Sequence, residues 1–151
     1  MATKFFTNKD NNSLISKFEG IFTNTHVHYF DALVGFFRAS GYFRVRPLLA
    51  NTSKIRILVG IDVDHLISEA ARKGLEFNFN IEVTRDEFLT ELKQDIQTAS
   101  YYRNVEEGIL QFVSDIIENK IEIKAHPSQK LHSKIYIFRP ENFNEHHSGS
   151  V

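Results

Sequence analysis

Two segments of the chain are nearly continuous runs of apolar residues, and both predict buried β-strands. The first covers residues 30–37, and the second covers residues 55–61, which are rich in β-branched residues and Leu. Segments 121–125 and 132–138 predict two further strands. In the last of these, period-two alternation divides the side chains between two faces. One face carries His132, Lys134, Tyr136 and Phe138, and the other carries Leu131, Ser133, Ile135 and Ile137.

The spacing of apolar residues elsewhere predicts helices. Ser40-Gly41 is predicted to end the first strand. Pro47 disfavours a regular helix in the next segment, residues 42–50, which it interrupts. Gly74 is predicted to end a later helix. Residues 77–83 alternate and predict either a short edge strand or an extended linker. The predicted helices cover residues 14–22, 42–50, 65–73, about 85–99 and about 105–119.

The order of these elements is two strands, a helical stretch of some fifty residues, and two more strands. This order predicts an α/β fold class with a mixed β-sheet flanked by helices. The length of 151 residues is that of one domain. No Cys is present, which excludes disulfides and thiolate metal sites, and no run of 18 apolar residues occurs. We therefore predict a cytoplasmic protein with no membrane partner.

The net charge of −1 conceals an asymmetry along the chain. Residues 1–60 hold eight Lys/Arg and three Asp/Glu, whereas residues 61–120 hold six and thirteen, and residues 121–151 hold four and three. One interpretation is a basic face for a polyanion, with an acidic insertion that points elsewhere. The alternative is that ordinary amphipathic helices carry solvated Asp and Glu.

The strand that holds His132 and Lys134 carries the most specific chemistry. An imidazole can accept a phosphoryl group covalently, and a neighbouring ammonium can neutralise the phosphoryl oxygens. We expect both side chains to project from a central strand into one cleft, with basic residues of the first two strands nearby. The alternative is an edge strand with a polar outer face, in which the Lys opposes edge-to-edge pairing.

His132 and Lys134 match the H-x-K half of the HKD motif, and the segment resembles the phospholipase D superfamily. The Asp of that motif falls on Arg139, and Gly149-Ser150 begins but does not complete the Gly-Ser-x-Asn element. The resemblance implies that residues 1–151 are the N-terminal part of a phospholipase D-like domain truncated at its C-terminus. A helical insertion is then expected at about 64–119.

Segments 30–41 and 54–62 resemble the first two strands of single-HKD domains at the N-terminus of bacterial Swi/Snf or DEAD/DEAH-type helicases. The resemblance implies a homodimer that acts on nucleic acid, DNA rather than RNA, as a metal-independent nuclease. His132 would form a phosphohistidine and Lys134 would hold phosphate oxygens. ATP and Mg²⁺ would belong to a helicase motor beyond residue 151, and this chain would need no cofactor. The alternative is a non-catalytic docking module, in which Arg139 adds a phosphate contact.

A second histidine motif, His26-Val27-His28, resembles the first metal ligands of the amidohydrolase barrels. Such a barrel needs about 250 residues, and the strongest apolar strand follows this motif instead of preceding it. We therefore predict no metal site. His126 could approach the H-x-K strand from its loop, and His146-His147 receives no role.

Overall fold

The computed structural model describes residues 13–63, 68, 70–75, 90, 103–125 and 133–144. These residues form four strands and three labelled helices, with a short 3-10 helix, Arg46–Leu49, after the second helix. In chain order the elements are α1 (Leu14–Asn24), β1 (Tyr29–Phe37), α2 (Ala39–Val45), β2 (Lys54–Val63), α3 (Arg103–Ile117), β3 (Ile121–Ala125) and β4 (Ile135–Arg139).

The four strands make one sheet in the order β3-β2-β1-β4. β1 pairs with β2 and β2 pairs with β3 in parallel, whereas β4 runs antiparallel to β1. The predicted α/β class with a mixed sheet is confirmed. The parallel pairs require crossover connections, and α2 and α3 lie in those two connections.

Alternate residues of each strand point toward the helices and form the core. Phe30 of β1 is paired with Ile55 of β2 and with Phe138 of β4, and all three are buried. The Phe18 ring of α1 packs edge-on against Phe30 and Phe138, at centroid distances of 5.8 and 5.2 Å. A fully buried apolar side chain of this size contributes about 1.5–3 kcal/mol, so this aromatic cluster anchors α1 on the sheet.

α3 follows the predicted helical pattern closely. Its residues Ile109, Phe112, Val113 and Ile116 are buried, as the spacing predicts. Asn119 lies in the turn after α3 with a positive φ of 56°, a conformation that Asn tolerates better than most residues. No helix in the described ranges is long and apolar enough to cross a membrane.

A buried carboxylate joins α3 to α2 and the 3-10 helix. Asp115 is 1% exposed and accepts hydrogen bonds from Tyr42 Oη (2.7 Å), Arg46 Nη2 (2.7 Å) and Gln111 Nε2 (3.1 Å). Burial and the Asp115 charge raise the pKa of Tyr42, so the phenol remains a donor. A buried charge needs such partners, since removing one costs about 3–5 kcal/mol. This network fixes the first crossover against the second.

Two local predictions are wrong. β1 ends at Phe37 and α2 begins at Ala39, so Ser40-Gly41 lies inside a helix and does not break the strand. Gly74 also lies within a helical stretch instead of ending it. A Cβ at Gly74 would lie 3.0 Å from Ile116 Cγ2, so the residue permits close approach to α3. The error at Gly74 arises from tertiary packing that local turn preferences do not contain, whereas no close contact explains the helical position of Gly41.

The segment with Pro47 forms the short 3-10 helix, not a continuation of α2. Pro47 occupies its first turn, where a missing backbone N–H costs little. The predicted elements at 77–83 and about 85–99 lie almost wholly outside the described residues, among which only Thr90 is helical there.

Candidate functional site

β4 brings Lys134 to one edge of the described sheet. Because β4 is antiparallel to β1, its first residue, Ile135, pairs with Leu33 at the middle of β1, and the residue before it lies beside the carboxyl half of β1. Lys134 immediately precedes Ile135 and is exposed. Ligands of open α/β sheets bind outside the carboxyl ends of the parallel strands. Lys134 therefore lies near the edge where this fold class places its sites.

The structure differs from two expectations about the H-x-K segment. A third expectation, the position of His132, concerns a residue that the structure does not describe. Lys134 precedes the strand instead of lying within it, and β4 is an outer strand of the described sheet, not a central one. His132 lies outside the described residues, as do His126 and His146-His147. Tyr136 and Phe138 do share the helix-covered face that the alternation predicts, because both pack on Phe18.

Arg139 lies at the other end of β4. It is four residues beyond Ile135, about 13 Å along a strand, and it occupies the face opposite to Phe138. Its Nη2 lies 2.8 Å from Asp31 Oδ2, and its Nε donates to the same oxygen at 3.0 Å. The structure thus separates Arg139 from Lys134, and the predicted phosphate contact of each residue would involve a different part of a ligand.

Asp31 is shared by two guanidinium groups. Arg56 of β2 binds it through Nε and Nη2, at 2.6 and 2.9 Å, while Arg139 binds it from β4. Burial raises the pKa of Asp31, but the hydrogen bonds and charges of Arg56 and Arg139 outweigh burial and lower it. The carboxylate is therefore ionised at neutral pH, and the three charged groups together carry one net positive charge.

These residues belong to a second face of the sheet, which we call the open face because none of the described helices packs on it. Register pairs Tyr29 with Lys54 and Arg139, Asp31 with Arg56, and Leu33 with Leu58 and Ile135. Charged residues fill the middle of the face, and an apolar row crosses it nearer the carboxyl edge. The residues of the open face are Tyr29, Asp31, Leu33, Lys54, Arg56, Leu58, Glu122, Lys124, Ile135, Ile137 and Arg139.

The open face forms a shallow groove of about 460 Å³ over β1, β2 and their neighbours. Leu58 and Ile135 in its apolar row are 37% and 40% exposed. At the β3 side, Lys124 pairs with Glu122 at 2.8 Å. Four cations and two carboxylates occupy this face, so it is basic, as the charge asymmetry of the sequence predicts for the strand segments.

An apolar cavity of about 300 Å³ lies on the covered face, between α1, α2 and β1. Phe18, Phe30 and Tyr136 line it, and Arg38 is the charged residue on its wall. Among the described residues that line the cavity there is no His, Asp or Glu. The cavity offers binding volume instead of acid–base chemistry.

The histidines of the H-x-H motif precede β1 at its amino end. His26 is exposed, and His28 Nδ1 lies 3.3 Å from Ser53 Oγ. Within the ranges that the structure describes, no group of three His, Cys, Asp or Glu side chains could hold a metal ion.

The Arg56–Asp31–Arg139 network is the main feature that sequence reasoning missed. Its signal was present, because each predicted apolar strand contains one charge of opposite sign, Asp31 in the first and Arg56 in the second. Opposite charges in neighbouring buried strands favour direct pairing.

Comparison with protein-family models, with curated proteins and with solved structures finds no match to this chain.

Proposed function

We propose that the chain is the N-terminal part of a phospholipase D-like domain that acts on the phosphodiester backbone of nucleic acid. The observation that carries the proposal is the location of Lys134, exposed at the β4 edge of the described sheet and beside the carboxyl half of β1. An ammonium at that edge can neutralise non-bridging phosphate oxygens. Two residues earlier in the sequence, His132 supplies the imidazole that this chemistry needs.

In the proposed reaction, an imidazole nitrogen of His132 forms a bond to phosphorus, and the bond from phosphorus to the leaving oxygen breaks. The leaving oxygen takes a proton from a second imidazole, supplied by His132 of the partner subunit in a homodimer. Water then attacks the phosphohistidine and releases the phosphate monoester. Lys134 stabilises the charge on the phosphoryl oxygens in both steps, so the reaction as proposed needs no metal.

A non-catalytic role is the second candidate, and one observation favours it. Arg139 stands where the resembled motif has Asp, and its guanidinium binds Asp31 on the open face, away from Lys134. Position 139 therefore contributes a phosphate-binding group in place of a carboxylate that orients the motif. In this role the domain docks a DNA helicase or a nuclease on its substrate.

Cleavage of a labelled oligonucleotide in EDTA separates these candidates. The nuclease proposal expects the natural full-length protein to cleave in EDTA and His132→Ala to abolish cleavage, with His26→Ala as the matched histidine control. The docking proposal expects no cleavage by either protein and weaker DNA binding by Lys134→Ala than by Lys17→Ala. Metal-dependent cleavage that survives His132→Ala but is lost in His26→Ala would contradict both candidates.

A further inference from the structure

The open face carries a charge arrangement that no role of the H-x-K segment requires. Lys54, Arg56, Lys124 and Arg139 face the same side of the sheet, opposed by the carboxylates of Asp31 and Glu122. Because two guanidinium groups share the Asp31 carboxylate, one positive charge at the centre remains uncompensated. The surface is therefore complementary to a polyanion.

The central guanidinium groups are held in place and still have donors to offer. Arg139 uses Nε and Nη2 for Asp31, and Arg56 uses the same two atoms. Each guanidinium has five N–H donors in a planar fork that suits phosphate oxygens. The ion pairs reduce the conformational freedom of both side chains before any ligand binds, which lowers the entropic cost of binding.

Aromatic and aliphatic side chains adjoin these charges. The guanidinium carbon of Arg139 lies 5.0 Å from the Tyr29 ring centroid and 6.0 Å from that of Phe143. Phe143 is 42% exposed. Nearer the carboxyl edge, Leu33, Leu58 and Ile135 form the apolar row. A basic surface with flat apolar positions suits unpaired bases, which stack on aromatic rings at about 1–3 kcal/mol each.

The shape of the face selects the form of nucleic acid. Four strands at about 4.8 Å spacing present a surface roughly 14 Å wide from the first strand axis to the last. The major groove of duplex DNA admits a helix or a two-stranded ribbon, whereas a sheet of this width cannot enter it. A single strand can lie across the sheet with its bases directed at the apolar positions.

We propose that the open face binds single-stranded nucleic acid, with Arg56 and Arg139 at a backbone phosphate and a base stacked on Phe143. This inference rests on the proposed function only for the choice of nucleic acid as the polyanion, and it names the substrate form. Arg139 and the start of β4 then contact phosphates in different parts of one strand, because about 13 Å separates them along β4.

Binding of a twelve-residue oligothymidylate, followed by fluorescence anisotropy at several salt concentrations, tests the charges. The double variant Arg56→Gln/Lys124→Gln removes two cations of the open face, and Lys17→Gln/Arg44→Gln removes two from the helices. We expect the open-face variant to lose at least tenfold in affinity and the salt slope to fall by at least about 0.7, the value for one phosphate contact on a single strand. The helix variant should bind like the unmodified chain, and thermal unfolding checks that both variants fold.

The stacking contact has its own readout, because the chain contains no Trp. In Phe143→Trp, the single indole should be quenched by the oligothymidylate over the concentration range in which anisotropy rises. A duplex of equal length should bind more weakly and leave the emission unchanged. Equal affinity of the two charge variants, or an unquenched indole, would overturn the inference and would indicate that a second copy or another part of the chain occupies the face.

The outcome is separable from that of the proposed function. His132→Ala should retain oligothymidylate binding even if it lacks cleavage, because the proposed binding contacts belong to Arg56, Arg139 and Phe143. If binding depends on the open face and no variant cleaves, only the nuclease proposal is refuted. If cleavage depends on His132 but not on Arg56 and Lys124, only the open-face proposal is refuted.

Discussion

Asp31 shows how one residue serves both the stability and the charge of the sheet. Its carboxylate joins β1 to β2 through Arg56 and to β4 through Arg139. The pKa of Asp31 lies below its ordinary value of 3.8 because the two guanidinium groups favour the ionised form.

The sign of the pH dependence follows from that lowered pKa. The stability contributed by Asp31 is complete above the unfolded pKa and is lost as pH falls through the folded value. We expect Asp31→Asn to lower the free energy of unfolding at pH 7 and pH 5, and the deficit to shrink below about pH 4. Urea denaturation at pH 7, 5, 4 and 3 measures this difference, and a deficit that stays constant over that range would contradict it.

At the scale of elements, the contact between α2 and α3 depends on Gly108. A Cβ at this position would lie 2.5 Å from the Phe43 ring, which is closer than any ordinary contact. The two helices can approach because this residue has no side chain. Gly20 in α1 differs, since no atom lies within 4 Å of the corresponding position.

Alanine substitutions at these two glycines should therefore have opposite effects. Overpacking costs about 1–3 kcal/mol, which exceeds the helix-propensity gain of about 1 kcal/mol. Gly108→Ala should lower the free energy of unfolding by up to about 2 kcal/mol, whereas Gly20→Ala should raise it by up to about 1 kcal/mol. Chemical denaturation of both variants checks this, and a stabilised Gly108→Ala protein would refute the close approach.

Elements that depend on local signals were predicted correctly, whereas features that depend on contacts between distant residues were not. β3 and the buried face of α3 match their predicted positions because alternation and helical spacing are local signals. The role of Gly74 was mispredicted because it depends on packing against Ile116 of α3. The start of α2 was also mispredicted, and no close contact at Gly41 explains it. The order of strands in the sheet also lay beyond sequence reasoning, because pairing partners are non-local.

At the scale of the whole molecule, the sheet separates two surfaces with different chemistry. The covered face holds the core and the Asp115 network, while the open face is basic and partly apolar. The sequence indicated a basic sheet and the H-x-K segment, but not the face on which the cations gather. The predicted phosphate contacts of Lys134 and Arg139 stay predictions, and the structure adds that β4 separates the two residues.

The central claim is that His132 acts as a covalent nucleophile on a phosphodiester. The most direct test is mass spectrometry of the natural full-length protein, quenched at high pH during turnover of an oligonucleotide in EDTA. We expect one acid-labile adduct on His132, a phosphoramidate that still carries the remaining nucleotide chain, which is absent from His132→Ala and retained in His26→Ala. Cleavage without an adduct on His132, or an adduct that persists in His132→Ala, would contradict it.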